Sequence, residues 1–269
     1  MLNKTKYLKS IFGYNGKEYY YIDILNALRD VGVKNGDSIF VHSDLQSFGK
    51  LNGCITRNEV LEIYIDALKE AIGENGNLIM PTFSYSFCNN EDFDPDSTPS
   101  TVGIMTEHFR KMRNVRRSID PIFSVAALGP DKNYFTDVGT ECFGKQSVFE
   151  KLYNRDVKII FLGETFDITY MHFVEQRFGV PYRFIKEFKG KIKIGQKMEW
   201  FTFKYYVVYL DKKVRYDLDE IAEYLNKCDV LKKVELGFSK IRSVGAYDAC
   251  NVITNGLARD IHILLKALP

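Results

Sequence analysis

The sequence predicts an α/β protein with a central, mostly parallel sheet flanked by helices. One observation is that helical and strand patterns alternate along the first two-thirds of the chain, and the strands are apolar enough to be covered on both faces. The other is a change of pattern after Pro181, where Lys and apolar residues alternate with a period of two. Such alternation is typical of antiparallel strands with one wet face. We therefore expect an added antiparallel β-rich portion at about 183–215.

Each element is predicted from its local pattern. Helices are predicted where apolar residues recur every three or four positions, and strands where β-branched and aromatic residues form short runs. The predicted helices are 20–31, 57–72, 102–112, 148–153, 168–178, 219–227 and 247–265. The predicted strands are 38–42, 77–83, 122–128 and 157–162, followed by period-two segments at 189–195 and 201–209. A single domain spanning residues 1–269 accommodates all of them.

One long connection interrupts this alternation. Residues 89–99 are acidic, contain two prolines and follow the second strand. Their Asn, Asp, Ser and Pro content predicts a loop. Loops of this length often close over a ligand or bind it.

Composition narrows the class of protein. There are 37 Lys and Arg against 35 Asp and Glu, which gives no support for a duplex nucleic-acid partner. The chain has no run of about 18 uncharged apolar residues, and the segment from Met1 to Lys6 lacks the apolar core of a secretory signal. We expect a cytoplasmic protein without a membrane partner. The five cysteines are scattered, which argues against disulfides and against a zinc site.

The basic residues concentrate in the predicted β-rich portion. Between 183 and 215 they far outnumber the acidic residues. This stretch is either a solvated sheet face or a phosphate-binding surface. In both cases it attracts anions.

Three polar residues stand at regular spacing just after the strand at 157–162. Thr169, His172 and Glu175 occupy positions i, i+3 and i+6 of the predicted helix 168–178. On a helix, these side chains lie close enough in angle to face one cleft. A hydroxyl, an imidazole and a carboxylate together indicate a proton-transfer site.

Several other sequence segments precede this helix. They are VHSDLQSFG at 41–49, LIMPTFS at 78–84, PSTVG at 99–103, RSIDPIFSVAALGP at 117–130 and FGKQS at 143–147. Over roughly residues 25–185, their order and spacing resemble the aminoglycoside 3-N-acetyltransferases, also called antibiotic N-acetyltransferases. Similarity is weaker towards the C-terminus.

This resemblance implies acetyl transfer from acetyl-coenzyme A to an amine of an amino sugar. It also implies the family's own α/β fold, distinct from the commoner N-acetyltransferase (GNAT) fold. His172 carries over as general base, Thr169 as a hydroxyl near the thioester carbonyl and Glu175 as a carboxylate beside the histidine. The positions carried over to the coenzyme A cleft are Ser43, Asp44, Leu45, Ser47, Thr82, Ser100, Thr101 and Gly103.

The chemistry explains why such residues are needed. An amine is protonated at neutral pH and needs a base with a pKa near 7, for which histidine is best suited. A carboxylate on the other ring nitrogen would fix the tautomer. Glu175 is the local candidate and Asp120 the distant one, and the sequence leaves both open. Negative charge develops on the thioester carbonyl oxygen during the reaction. Thr169 or backbone N–H groups could stabilise this oxyanion, each contributing on the order of 3 kcal/mol.

Asp120 is also where the chain departs from the family. Members often have His before the Pro of the Arg-Ser-x-x-Pro segment, and here Asp120 precedes Pro121. This carboxylate either contacts the acceptor or forms an ion pair with Arg116 or Arg117.

The remaining candidates have structural alternatives. Tyr85, Tyr170 and Tyr182 could stack on a sugar or cover the cleft wall. The segment 101–103 could be a phosphate-binding helix start or an ordinary Ser or Thr N-cap. Among the other histidines, we expect His42 and His262 in the core and His108 on the surface.

Two classes of acceptor are compatible with the sequence. Aminoglycosides are polycations, and this chain lacks the acidic balance that would attract them, so a nucleotide-linked amino sugar is slightly favoured over an aminoglycoside. No metal is expected, because a lone H-x-x-E lacks the second motif of carboxylate metal sites. The sequence is also compatible with a homodimer. The alternative function is a non-catalytic carbohydrate- or nucleotide-binding homologue of the same fold.

Overall fold

A seven-stranded mixed sheet forms the centre of the fold in a computed structural model that describes residues 4–164, 166, 169–209 and 214–266. The strands are β1 (Phe12–Tyr14), β2 (Lys17–Tyr19), β3 (Ser38–Ser43), β4 (Lys50–Leu51), β5 (Asn77–Pro81), β6 (Arg116–Arg117), β7 (Val125–Leu128), β8 (Lys158–Leu162), β9 (Arg183–Ile194), β10 (Lys197–Val208), β11 (Lys232–Leu236) and β12 (Ser239–Gly245). The helices are α1 (Tyr21–Asp30), α2 (Arg57–Ile72), α3 (Ile104–Arg110), α4 (Lys132–Thr136), α5 (Val148–Asn154), α6 (Met171–Phe178), α7 (Leu218–Lys227) and α8 (Ala246–Arg259). Short 3₁₀ turns cover Lys4–Leu8, Leu45–Phe48 and Ser86–Asn89.

The order of the central sheet is β11-β12-β8-β3-β5-β7-β6. Its middle is parallel, because β3 runs parallel to both β5 and β8, whereas the flanking pairs are antiparallel. The predicted α/β class is confirmed, and the antiparallel flanks are an addition that the sequence patterns did not indicate. β3, β5 and β8 all end at one edge of the sheet, which we call the carboxyl edge. In open α/β sheets, ligands collect at this edge.

Two apolar layers cover the faces of this sheet. Alternate residues of β3 point to opposite sides, so Ile39 and Val41 pack with α1 and α2 while Phe40 packs with the layer containing α5, α6 and α8. Each fully buried side chain of this kind contributes about 1.5–3 kcal/mol. Local signals set the bounds of α2, since Thr56 accepts the Glu59 N–H at its start and Gly73 adopts φ +67° at its end.

The β9–β10 hairpin confirms the predicted antiparallel portion as far as Val208. Asp211, Lys212 and Lys213 of the basic stretch lie outside the described residues. Gly190 allows the hairpin to lie on Phe87, because a Cβ at this position would collide with the Phe87 ring. The loop at 89–99 docks on the same strand, where Phe93 pairs with Ile192.

Some boundaries and elements differ from the prediction. The C-terminal helix ends at Arg259 instead of 265, and β7 begins at Val125 instead of 122. Helix α6 begins at Met171 rather than 168, and Ile168 lies outside the described residues. The small β1, β2, β4 sheet and the β11–β12 pair were not predicted. Within the described part of the chain, no helix combines the length and apolar character needed to span a membrane.

Candidate active site

The predicted site segments converge at the carboxyl edge. β3 ends at Ser43, β8 ends at Leu162, and the Asp44 N–H donates to the Leu162 carbonyl at 2.7 Å. Gly163 then adopts φ +97°, and a Cβ there would collide with Asp44 and Ser47. Glycine at this position therefore lets the chain after β8, which leads to α6, pass directly over the turn after β3.

His172 lies in the first turn of α6 and contacts the carboxylate one turn later. Its Nδ1 is 3.0 Å from Oε2 of Glu175, and the His172 side chain is 20% exposed whereas that of Glu175 is fully buried. The i, i+3 spacing on a helix produces this contact. Thr169 does not share the helix: it lies in the preceding turn, and its carbonyl accepts the His172 N–H at 3.0 Å. The predicted imidazole–carboxylate pair is therefore present, while Thr169 is a turn residue.

Three further side chains surround the buried Glu175 carboxylate. Arg183, the first residue of β9, places Nε 2.9 Å from Oε2 of Glu175. The Tyr182 and Tyr216 hydroxyls donate to Oε1 at 2.9 and 2.6 Å. These bonds account for both carboxylate oxygens, as a buried ion requires.

The charges of this cluster are strongly coupled. Burial opposes ionisation of Glu175, but the bonds from His172 and Tyr216 and the neighbouring Arg183 guanidinium hold the pKa of Glu175 below its usual range. Burial likewise acts to lower the pKa of Arg183, but the Glu175 charge raises the pKa of this guanidinium above its usual value. Burial, reinforced by the Glu175 charge, raises the pKa of the Tyr182 and Tyr216 hydroxyls. Glu175 is therefore an anion at neutral pH, and the tyrosines are neutral donors.

An aromatic wall borders the imidazole. Phe143 meets the His172 ring edge-on, with centroids 5.3 Å apart and planes at 87°. Phe143 in turn packs on Phe123 and Tyr205, and Phe123 contacts Tyr85. The FGKQS segment thus reaches the site through its phenylalanine.

Only one of the three tyrosines predicted to stack on a sugar retains exposed surface. Tyr85 is half-buried and holds φ +56°. Tyr170 is fully buried and donates to the Ala246 carbonyl, and Tyr182 is 2% exposed and donates to Glu175. Of the two alternatives for Tyr170 and Tyr182, burial therefore favours covering the cleft wall over stacking on a sugar, since neither ring is accessible.

Asp120 is buried in a turn of the backbone. One oxygen accepts the N–H groups of Ile122 and Phe123, both at 2.8 Å, and burial raises the pKa of Asp120 to about 6. Of the two alternatives for Asp120, the ion pair is wrong, because Arg116 pairs with Asp137 and Arg117 donates to Thr82, Ser124 and backbone carbonyls. Of the two carboxylates considered for orienting His172, Glu175 is the one that contacts it.

Two of the three segments expected to bind coenzyme A lie just after strands of the central sheet, one after β3 and one after β5. Ser43, Asp44, Leu45 and Ser47 lie at the end of β3 and in the 3₁₀ turn that follows, with the Ser47 hydroxyl accepting the Glu164 N–H at 3.0 Å. Thr82 is fully buried and bonds to Ser124, so its side chain supports the edge without reaching a ligand.

The helix start at 100–103 has a structural role. The Ser100 N–H donates to the Glu107 carboxylate at 2.7 Å, and Thr101 bonds to the Phe83 carbonyl. Gly103, not a Ser or Thr, is the N-cap of α3. The Glu107 carboxylate therefore already accepts from the backbone just before the segment 101–103.

A cavity with three cations and two carboxylates in its lining lies next to the Ser47–Glu164 contact. It encloses about 300 Å³, and its lining includes Tyr216, Lys240, Arg242, Lys266, Glu164 and Asp219. Lys240 Nζ is 3.6 Å from the Glu164 carboxylate. Arg242 is buried, with Nη2 3.8 Å from Glu164 and its guanidinium over the Phe166 ring. The cavity therefore shares Tyr216 with the side chains around Glu175, and it lies beside the turn after β3.

Sequence reasoning missed Arg183 and Tyr216. Arg183 was counted within the basic stretch, and no spacing signal distinguished it from the lysines that follow. Of the other histidines, His42 is buried as expected, His108 is half-buried, and His262 is exposed rather than in the core.

Comparison with known proteins identifies the family. A family model described as aminoglycoside 3-N-acetyltransferase matches residues 40–258, well over half of the chain. An aminoglycoside N(3')-acetyltransferase-like protein, YokD of Bacillus subtilis, is 29% identical over 206 residues, covering 67% of this chain and 73% of that protein. Aminoglycoside N(3)-acetyltransferase IV of Salmonella sp is 30% identical over 170 residues. That alignment covers 61% of this chain and 62% of the Salmonella enzyme, less than two thirds of its length.

Solved structures agree on the fold. The structure of AAC-VIa bound to sisomicin superposes with a TM-score of 0.77 at 23% identity, covering 90% of this chain and 98% of that one. The expected antibiotic N-acetyltransferase-like fold is thereby confirmed. Because the family model spans most of the chain, including His172, Glu175 and Arg183, the chain belongs to the aminoglycoside 3-N-acetyltransferase family and is an N-acetyltransferase.

Proposed function

We propose that this chain transfers the acetyl group of acetyl-coenzyme A to an amine of an aminoglycoside-type amino sugar, with His172 as general base. The observation that supports this most is the partly exposed imidazole held by a buried, fully bonded carboxylate at the carboxyl edge. Such an arrangement resembles the base and orienting carboxylate of acyl-transfer enzymes in its roles.

The proton path follows from the ring geometry. With Nδ1–H donated to Glu175, Nε2 of His172 is the basic nitrogen. The acceptor enters as a free amine, having released one proton to water. As the nitrogen–carbon bond forms, a second proton passes from that nitrogen to Nε2. The carbon–sulfur bond then breaks and the leaving thiolate takes this proton, giving an amide, a thiol and a neutral histidine.

The residues of the chain also fit the phosphates of the acetyl donor. Lys240, Arg242 and Lys266 face one cavity beside the turn after β3, and cations of this kind recognise phosphate oxygens. The thioester end would then lie towards Tyr216 and His172. Thr169, in the turn before α6, stays the proposed hydroxyl near the thioester carbonyl.

An aminoglycoside is preferred over a nucleotide-linked sugar because of the relatives. The Salmonella enzyme is named for aminoglycoside acetylation, and the AAC-VIa structure was solved with sisomicin. The basic stretch that favoured a nucleotide-linked acceptor lies partly on the outer hairpin, where Lys193 pairs with Asp94 and Lys204 faces Glu141. Its charge is therefore partly balanced within the fold.

Thiol release with a panel of acceptors tests this function. Purified protein, acetyl-coenzyme A and either sisomicin or a nucleotide-linked amino sugar are mixed, and free thiol is followed with time. We expect turnover with sisomicin and a monoacetylated product by mass spectrometry. Turnover with the nucleotide-linked sugar alone would reverse the acceptor assignment. Thiol release with neither would support a binding homologue and contradict the proposal.

Removing cations from the cavity should weaken binding of the acetyl donor. Lys240→Ala and Lys266→Ala are each expected to raise the KM for acetyl-coenzyme A about fivefold, since a partly exposed charge pair contributes about 1 kcal/mol. The value of kcat and the KM for the acceptor should change little. Lys197→Ala, which removes the same charge at the exposed tip of the hairpin, is the matched control. Equal KM values in all three variants would exclude this cavity as the phosphate site.

A further inference from the structure

We infer that Arg183 is a positioning residue that holds down the basicity of His172, so that the proton taken from the acceptor is passed on rather than retained. This inference rests on the proposed role of His172 as base. It assigns a task to a residue that the sequence motif does not include, 11 positions beyond the histidine.

Two groups of opposite character meet at one ring nitrogen. Nδ1 of His172 is 3.0 Å from Oε2 of Glu175 and 2.9 Å from Nη2 of Arg183. A carboxylate only accepts hydrogen bonds and a guanidinium only donates them, so Nδ1 can bond to one of them at a time. With a proton on Nδ1 the bond goes to Glu175 and Nε2 is basic. Without it the bond goes to Arg183, and the proton is on Nε2, where it blocks base catalysis.

The surroundings fix Arg183 in place. Nη1 donates to the Tyr206 carbonyl at 2.6 Å, Nη2 lies 2.5 Å from the Tyr216 hydroxyl, and the side chain is only 3% exposed. The guanidinium also lies over the Tyr216 ring. Glu175 is held equally firmly by Tyr182 and Tyr216. Neither Arg183 nor Glu175 can turn away from the ring. The protonation state of the imidazole therefore decides which of the two it bonds to.

With Arg183 present, the protonated form of His172 is less stable than it would be beside Glu175 alone. When Nε2 gains the acceptor proton, the ring becomes a cation beside a buried guanidinium, and like charges at this distance lower the pKa of the ring. The ion pair with Arg183 also offsets the negative charge with which Glu175 stabilises the imidazolium. The proton is therefore easily released to the departing thiolate.

The tyrosine hydroxyls near the ring are neutral. Tyr182 and Tyr216 face Glu175 from the segments flanking the hairpin, and Tyr205 and Tyr206 face Arg183 from β10; burial raises the pKa of all four hydroxyls. Behind Phe143, Cys142 lies against the Asp120 carboxyl, and burial raises the pKa of both groups. Arg183 and Glu175 are thus the charged described residues in contact with the imidazole.

Histidine NMR on the whole protein tests this without relying on activity. Long-range ¹H–¹⁵N spectra report the tautomer and the pKa of each imidazole, and the His172 signals are those lost in His172→Gln. In the wild type we expect the Nδ1–H tautomer. In Arg183→Gln, which keeps a neutral donor in place, the pKa of His172 should rise by about one unit or more. Arg183→Lys keeps the positive charge and should stay close to the wild type.

The pH profile of kcat/KM gives the catalytic counterpart. The acidic limb of this profile, which reports the base, should move to higher pH in Arg183→Gln. For a shift of about one unit from an ordinary histidine pKa, kcat/KM should fall about threefold at pH 7, fall up to tenfold at lower pH, and recover at higher pH. An unchanged or lowered His172 pKa in a folded Arg183→Gln protein overturns the inference, as does an equal loss of rate at every pH. If the glutamine variant does not fold, Arg183→Met is used with the same expected shift. If the wild type shows no acetyl transfer, the proposed function fails, while the NMR shift still decides the role of Arg183.

Discussion

Replacing His172 with alanine should lower kcat/KM for acetyl transfer by about 10²- to 10⁴-fold, the usual contribution of a general base. The structure gives the reason. The imidazole is the group that the Glu175 carboxylate, the Phe143 ring and the start of α6 all orient, and 20% of its side chain remains exposed. The KM for acetyl-coenzyme A should change little, because the proposed phosphate contacts lie in the separate cavity lined by Lys240 and Lys266.

The control for this loss is another histidine. His108 is half-buried in the last turn of α3, and His108→Ala should retain the wild-type rate. Single-turnover experiments with acetyl-coenzyme A already bound place the loss in the chemical step. A His172→Ala protein that is folded and acetylates sisomicin at the wild-type rate would remove histidine from the mechanism.

The local parts of this site could be predicted because they depend on short-range geometry. His172 and Glu175 are three residues apart on one helix, so the spacing alone brings them together. The ends of β3 and β8 were predicted to within one residue for the same reason: each is a short apolar run bounded by a change of pattern. The parallel centre of the sheet then places Ser43 and the segment after Leu162 at one edge.

The distant parts could not be predicted. Tyr216 reaches Glu175 across 41 positions, and Arg183 reaches His172 only because β9 starts where α6 has ended and turned back. The predicted period-two segment began at 189, so Arg183 was included only in the β-rich portion at about 183–215, and nothing in the pattern indicated that its side chain is buried. Tyr170 and Tyr182 were misjudged for the same reason, since burial depends on packing between segments rather than on residue type.

Removing the Glu175 carboxylate should destabilise the fold as well as the site. Glu175→Ala leaves the Arg183 guanidinium buried without its counter-ion and two tyrosine hydroxyls without their acceptor. Breaking one side of a buried pair in this way costs about 3–5 kcal/mol. We expect a loss of this size in the free energy of unfolding, measured by urea denaturation. Acetyl transfer should fall too, because His172 loses the group that fixes its tautomer.

The double variant Glu175→Leu with Arg183→Met separates the buried charge from the packing. Because it removes both ions together, it should recover a large part of the lost stability without recovering activity.

The wild type should also lose stability in acid. The folded-state pKa of Glu175 is lowered, so its contribution is complete above the ordinary glutamate pKa and is lost as the pH falls towards the folded-state value. Glu175→Leu/Arg183→Met should show a weaker dependence over that acidic range. A double variant as unstable as Glu175→Ala, with the same acid dependence as the wild type, would show that the ion pair is not what holds these elements together.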